Sequence, residues 1–308
     1  MEQIDFAFKK NRRFGDLIQD YLSLLKIVFR HLNSKILAIA LPVFAVFIIL
    51  GFYLSTVINE LIKSPPPTDS IPSMLVLPII AMFLVLLFIV LIGTFGIEYM
   101  LLLEERKDLS FTSGDIYARI KQNLEKYVRF FLSSILVGIG LMIFFVILSF
   151  FLNLIPIVGQ LIMGILGACI MLFVNCALFL YRQGREDLWS SYGASFRLIK
   201  SRVFEYGVAG YVMQIILQIT MALIVMVPLI IIGIIAFNTV GFTDQFLEGF
   251  LGKFLISLGG SIMMLLVIFV SIYLIGFYVF QYFSLLESSY KEDTLEQIDQ
   301  IGGTEEAF

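Results

Sequence analysis

The sequence predicts an all-α polytopic membrane protein: six transmembrane helices laid out as three hairpins, each preceded by a cytoplasmic amphipathic helix. Three observations carry this. Apolar residues make up 59% of the 308 and charged residues only 15%, against roughly 45–50% and about 25% in soluble domains. Six apolar runs are long enough to cross about 30 Å of hydrocarbon, which takes about 20 helical residues. The segments between them carry apolar residues at helical spacing. A soluble globule needs a polar skin that this composition cannot supply. A water-soluble enzyme, a disordered chain and a disulfide-stapled secreted domain are therefore excluded.

The runs lie at about 36–58, 74–97, 130–153, 161–181, 208–236 and 254–281. All are read as helices, because a helix satisfies its own backbone in lipid, and none shows the two-residue alternation of a membrane strand. Residues 1–35 are charged and the first run is full length, so it is expected to stay as a span. Pro65, Pro66 and Pro67 punctuate the first outer loop. Spans three and four are separated only by 154–160, with Pro156 and Gly159 as turn residues, which makes them a tight antiparallel hairpin. Span five is long and holds Pro228, so a kink or tilt is expected. Cys169 and Cys176 share span four. Seven residues of helix separate them by about 10 Å of rise, too far for a disulfide, so they are read as apolar thiols.

Lysine and arginine set the orientation. Seven precede span one, six follow span two, five follow span four and Lys291 stands in the tail, while only Lys63 and Lys253 lie on the other side. The split of 19 against 2 places both termini and the two long loops in the cytoplasm. The expected location is the cytoplasmic (inner) membrane. A net charge of −3 gives no reason to expect nucleic acid as a partner.

The cytoplasmic segments are patterned. Before span one, Phe14, Leu17, Ile18, Tyr21, Leu22, Leu25, Val28, Phe29 and Leu32 form one helical stripe. Ile116, Tyr117, Ile120, Leu124, Tyr127 and Val128 do so before span three, with Thr112 and Asp115 in capping-box spacing. Trp189, Tyr192, Phe196, Ile199, Val203 and Tyr206 do so before span five. Each stripe has a cationic opposite face, the pattern of an interfacial helix over anionic head groups; packing on the cytoplasmic ends of the bundle is the alternative. Candidate lipid- or partner-facing residues are Arg119, Lys121, Trp189, Arg197, Lys200 and Arg202. The second and third segments align at an offset of 79, with Asp108, Gly114, Ile120 and Tyr127 matching Asp187, Gly193, Ile199 and Tyr206. The chain thus reads as one membrane domain over 1–286, built of parallel repeats at 14–103, 112–181 and 189–286, with an acidic cytoplasmic tail at 287–308.

Leu-Leu-Leu-Glu-Glu at 101–105 and Ser-Leu-Leu-Glu at 284–287 close two of the hairpins. With the helix-plus-hairpin unit, this resembles the membrane domain of bacterial glycerophosphodiester phosphodiesterases. It also resembles related six-span proteins of Bacteroidota, whose tails are similar to Thr294–Gly302. No segment of these 308 residues could form the catalytic barrel that accompanies that domain, so the resemblance does not imply hydrolysis. It implies a membrane module attached to, or working with, something else.

No P-loop, G-x-S-x-G or H-E-x-x-H motif is present, and the one histidine, His31, cannot supply a usual metal site. No enzyme activity and no cofactor are expected. Polar residues inside spans are the remaining suspects. Glu98 is a proton-coupling carboxylate or, on the plainer reading, the partner of a base such as Arg129 or Arg182. Asn175, Gln214 and Gln218 read as glue between helices. Gly164, Gly167 and Ala168 on span four, and Gly93 and Gly96 on span two, read as small faces for close packing. The tail carries seven acids against Lys291, with Leu295, Ile298 and Ile301 spaced for a short binding helix. Together these point to a non-enzymatic accessory or scaffold subunit whose partners are membrane lipids and other membrane subunits. The alternative is a transporter, channel or lipid-handling protein with a cavity lined by Glu98, Asn175, Gln214 and Gln218.

Overall fold

The computed structural model describes residues 4, 6–63, 71–152, 154–239 and 249–302. Among them every regular element is a helix: α1 (Phe14–Lys63), α2 (Ile71–Arg106), α3 (Ser113–Leu152), α4 (Pro156–Arg182), α5 (Leu188–Ile199), α6 (Val203–Thr239) and α7 (Phe250–Gly302). All but α5 contain a stretch long and apolar enough to cross a membrane. The chain is therefore an all-α polytopic protein with six such helices, as its apolar runs predict.

The helices outrun the hydrocarbon. α1 and α3 begin well before their apolar runs, so the first two amphipathic segments are one rod with the span that follows. Extending an existing helix adds a hydrogen bond per residue, whereas a separate helix needs a costly new nucleus. The third segment does break: α5 stops at Ile199 and α6 starts at Val203. At the other end α7 runs to Gly302, so the tail boundary expected at 286/287 is no break in the backbone. The prolines at 65–67 and the side chains of Pro228, Leu295, Ile298 and Ile301 lie outside the described residues; α6 is helical through position 228.

Local chemistry sets the ends. At the start of α3 the Thr112 backbone N–H and hydroxyl donate to Asp115 at 2.7 and 2.9 Å, and the Asp115 N–H donates back to the Thr112 hydroxyl at 3.3 Å. This is the reciprocal capping read from the sequence. α2 ends at Arg106, and Lys107, with a φ of 53°, turns the chain out of the helix. Beyond it, donation from the Ser110 hydroxyl at 2.6 Å and then its backbone N–H at 2.9 Å holds the Asp108 carboxyl below its ordinary range.

The α3–α4 turn is tighter than its sequence suggests. Pro156 sits in the first turn of α4, where its missing N–H and fixed φ suit a helix start, so α4 begins five residues before its apolar run is counted. The tightness makes Gly159 necessary: a Cβ there would lie 2.1 Å from the backbone oxygen of Leu152, which cannot rotate away.

The chain divides into two compact units that cut across the proposed repeats. One comprises residues 30–93 and 216–273. In it Gly51 faces Ser257, Phe47 meets Phe88 at 5.4 Å between ring centroids, Phe52 meets Phe250 at 5.4 Å, and the Tyr273 hydroxyl donates to Asn33 at 2.5 Å. The other comprises 1–29, 94–215 and 274–308 and holds most of the buried aromatic residues. Within it α4 and α6 approach closely through small residues. A Cβ on Gly164 would strike the Tyr211 ring, and Ala168 lies against Gly210, as expected of span four's small face. Gly167 and Gly93 have nothing within 4 Å of a built Cβ, so they do not share that role.

Replacing Gly159 with alanine should destabilise the α3–α4 hairpin by about 1–3 kcal/mol through overpacking, read as a lowered thermal midpoint in mild detergent. Val158→Ala at the exposed neighbouring position should leave the midpoint nearly unchanged.

Candidate functional site

Glu98 lies on α2 beside the buried aromatics Phe95 and Tyr99 and is itself fully buried. Its carboxylate accepts three hydrogen bonds. Arg182, at the end of α4, donates from Nε to Oε1 at 2.6 Å and from Nη2 to Oε2 at 3.1 Å, and the Tyr127 hydroxyl of α3 donates to Oε1 at 2.6 Å. One side chain thus ties three helices together. Arg129, the other basic partner considered for Glu98, pairs instead with Glu125 on its own helix.

The same unit holds a fully buried cation. Arg12 is 1% exposed, although in the sequence it is only one of seven N-terminal bases. Its Nε donates to Asp20 at 2.9 Å, its Nη1 to the carbonyls of Phe8 and Lys10 at 2.9 and 3.1 Å, and its Nη2 to the carbonyl of Ala7. Its plane stacks on Phe280, 4.3 Å from the ring centroid. The backbone joins a closed ring. The Arg12 N–H donates to the Ser284 hydroxyl at 3.0 Å, Ser284 donates to the Tyr206 hydroxyl at 2.9 Å, and Tyr206 donates to the Arg12 carbonyl at 3.2 Å. The segment before α1 is thereby wrapped around its own arginine and pinned to α6 and α7. Gln281, also fully buried, donates to the Tyr206 carbonyl at 2.8 Å.

The other sequence candidates disperse. Asn175 donates to the Met171 carbonyl of its own helix at 2.7 Å. Gln214 is half-buried and Gln218 exposed. Arg119 pairs with Glu105, and Arg202 holds Glu205 and Asn11, whereas Lys121, Trp189, Arg197 and Lys200 are exposed. The amphipathic stripes divide. Leu17, Tyr21, Val28, Ile116, Ile120, Tyr127, Ile199 and Tyr206 are buried, while Phe29, Tyr117, Leu124, Trp189 and Phe196 face outward. Among the described residues no three His, Cys, Asp or Glu side chains gather as a metal site would need.

Arg12 and Gln281 escape sequence reading for different reasons. Nothing local separates Arg12 from its solvated neighbours. Gln281 did carry a signal: extending the match of 101–104 with 284–287 backwards pairs Tyr99 with Tyr282, Glu98 with Gln281 and Gly93 with Gly276.

These features define a multi-pass α-helical membrane protein whose buried polar groups clamp helix to helix. No family model matches the chain, nor does any curated protein or solved structure.

Breaking a buried ion pair by removing one partner costs about 3–5 kcal/mol, whereas replacing both by apolar residues is often near neutral. Glu98→Leu and Arg182→Leu should therefore each lower unfolding stability in detergent markedly, and the double variant should recover most of the loss. Arg182→Lys should not rescue, because a lysine cannot bridge both carboxylate oxygens.

Proposed function

We propose that this protein is a non-enzymatic accessory or scaffold subunit of a larger assembly in the bacterial cytoplasmic membrane, with both termini and its two long loops in the cytoplasm. The observation that carries the reading is how the buried charge is used. Glu98, the carboxylate that the sequence singles out for a proton- or solute-coupled path, is held by Arg182 and Tyr127. Asn175 is bonded within its own helix. A conduit through Glu98, Asn175, Gln214 and Gln218 would need those groups open to a common space.

Positive residues gather on one side of the membrane, 19 of 21, and α7 carries its acidic extension onto that same side. This opposition of charge supplies a docking surface for a basic cytoplasmic partner. The resemblance to the membrane domain of glycerophosphodiester phosphodiesterases belongs to the same proposal, a membrane module that serves a separate soluble activity.

Purification in mild detergent followed by mass spectrometry should recover a stoichiometric partner. The charge-reversed tail Glu292→Lys/Asp293→Lys/Glu296→Lys should lose it while the protein remains in the membrane. A wild-type chain that purifies persistently alone would overturn the scaffold reading. Protease treatment of sealed right-side-out vesicles should leave the basic segments intact, and cleavage there would reverse the orientation.

A further inference from the structure

We propose that the outer face of α5 binds anionic lipid head groups at the cytoplasmic edge of the bilayer. Its inner face is fastened to the neighbouring helices. The Tyr192 ring stacks on Phe130 of α3, 5.3 Å between centroids, and its hydroxyl lies 2.9 Å from both Ser133 and Ser134. Ser195 donates to the Phe173 carbonyl of α4 at 2.7 Å.

That attachment fixes depth. Arg129 is the last charge of α3, and from 130 to 152 the helix carries none. Ser133 and Ser134 lie four and five residues further on, about 6–8 Å along the axis. α5 therefore sits where α3 passes from charged to apolar, at the boundary that interfacial helices occupy. The neighbouring Leu132 and Leu136 of α3 are exposed there as well.

The outward face has the matching composition. Trp189 and Phe196 lie two turns apart on one side and are 61% and 62% exposed. Lys200 follows on the same side, and Arg197 lies beside Gly193, its Nη1 3.9 Å from where a Cβ would be. An aromatic ring in the acyl boundary with cations at head-group level is the arrangement that holds a helix on an anionic surface.

Exposed apolar residues also flank cations on α1, at Ile27 and Phe29 beside Lys26 and Arg30, and on α3, at Tyr117 and Leu124 beside Lys121, but only α5 adds a tryptophan to them. On α3 the further cations Arg119 and Arg129 are paired with Glu105 and Glu125. Among the described residues neither Arg197 nor Lys200 has a carboxylate partner. No described carboxylate neutralises them, so a phosphate-bearing lipid with net negative charge fits the face better than a zwitterionic one.

The chain's single tryptophan is Trp189, so its fluorescence reports this face alone. The full-length protein is placed in lipid nanodiscs doped with lipids brominated near the top of the acyl chain, either phosphatidylglycerol or phosphatidylcholine at equal fraction. Both should quench Trp189, with the anionic lipid about twofold or more the stronger. Arg197→Gln/Lys200→Gln should bring the two lipids to equality while quenching by phosphatidylcholine persists, which also shows that α5 remains in place. Equal quenching in the unaltered protein would overturn the proposal. So would an anionic preference that survives in the double variant. A Trp189 shielded from both brominated lipids and aqueous acrylamide would assign the face to a protein, a second copy or another subunit, and overturn it equally.

Discussion

The Glu98 carboxylate is fully buried, and it is held by side chains from two other helices. A bare buried carboxylate is among the costliest groups a fold can hold. Here the cost is offset by a bidentate guanidinium and a phenol, delivered by two other helices. Between helices in lipid, apolar contact alone distinguishes one partner weakly, because acyl chains are as apolar as leucine. A charge that can be satisfied in only one way does distinguish. The pairing therefore fixes which helix neighbours which, and at what register, more than it adds to net stability.

The same logic recurs in neutral form around α7. Gln281 stands where Glu98 does when 101–104 is set against 284–287 in the sequence, and it too bonds to another helix, at the Tyr206 carbonyl of α6. Tyr127 and Tyr206 are matched in the alignment of the two segments, and each bonds one of these two polar side chains: Tyr127 donates its hydroxyl to Glu98, and Tyr206 accepts from Gln281 at its carbonyl. The two matched tyrosines thus both meet polar side chains that clasp helix to helix. Arg12 has no such counterpart. It is a local device that turns a loose leader into a folded cap by drawing three carbonyls of its own segment around it.

What the sequence made legible follows from the range of each physical signal. Six apolar runs, the capping of α3 and the close face at Gly164 and Ala168 depend on neighbours along the chain, and composition or spacing reports them. The pairing of Glu98 with Arg182 was one of two readings, because 84 residues separate the partners and spacing carries no information at that distance. The burial of Arg12 was invisible, since its surroundings come from α1, α6 and α7 together. Helix ends lie beyond the apolar runs. Hydropathy marks where the oil ends, whereas the hydrogen-bond ladder continues into water until a residue such as Lys107 or Gly184 turns the backbone. The amphipathic stripes posed a choice between lipid and protein, and their two edges turned out to have different fates.

α7 runs unbroken from Phe250 to Gly302. From Gln281 to that end is about 30 Å of single rod. A helix of this kind bends only gently unless proline or an inserted group interrupts it, and its final stretch contains neither proline nor a break. Torque or tilt imposed near Gly302 is thus conveyed as a lever arm to the Ser284–Tyr206–Arg12 ring instead of being dissipated in a hinge. Whatever grips the tip of α7 holds a handle on the N-terminal cap.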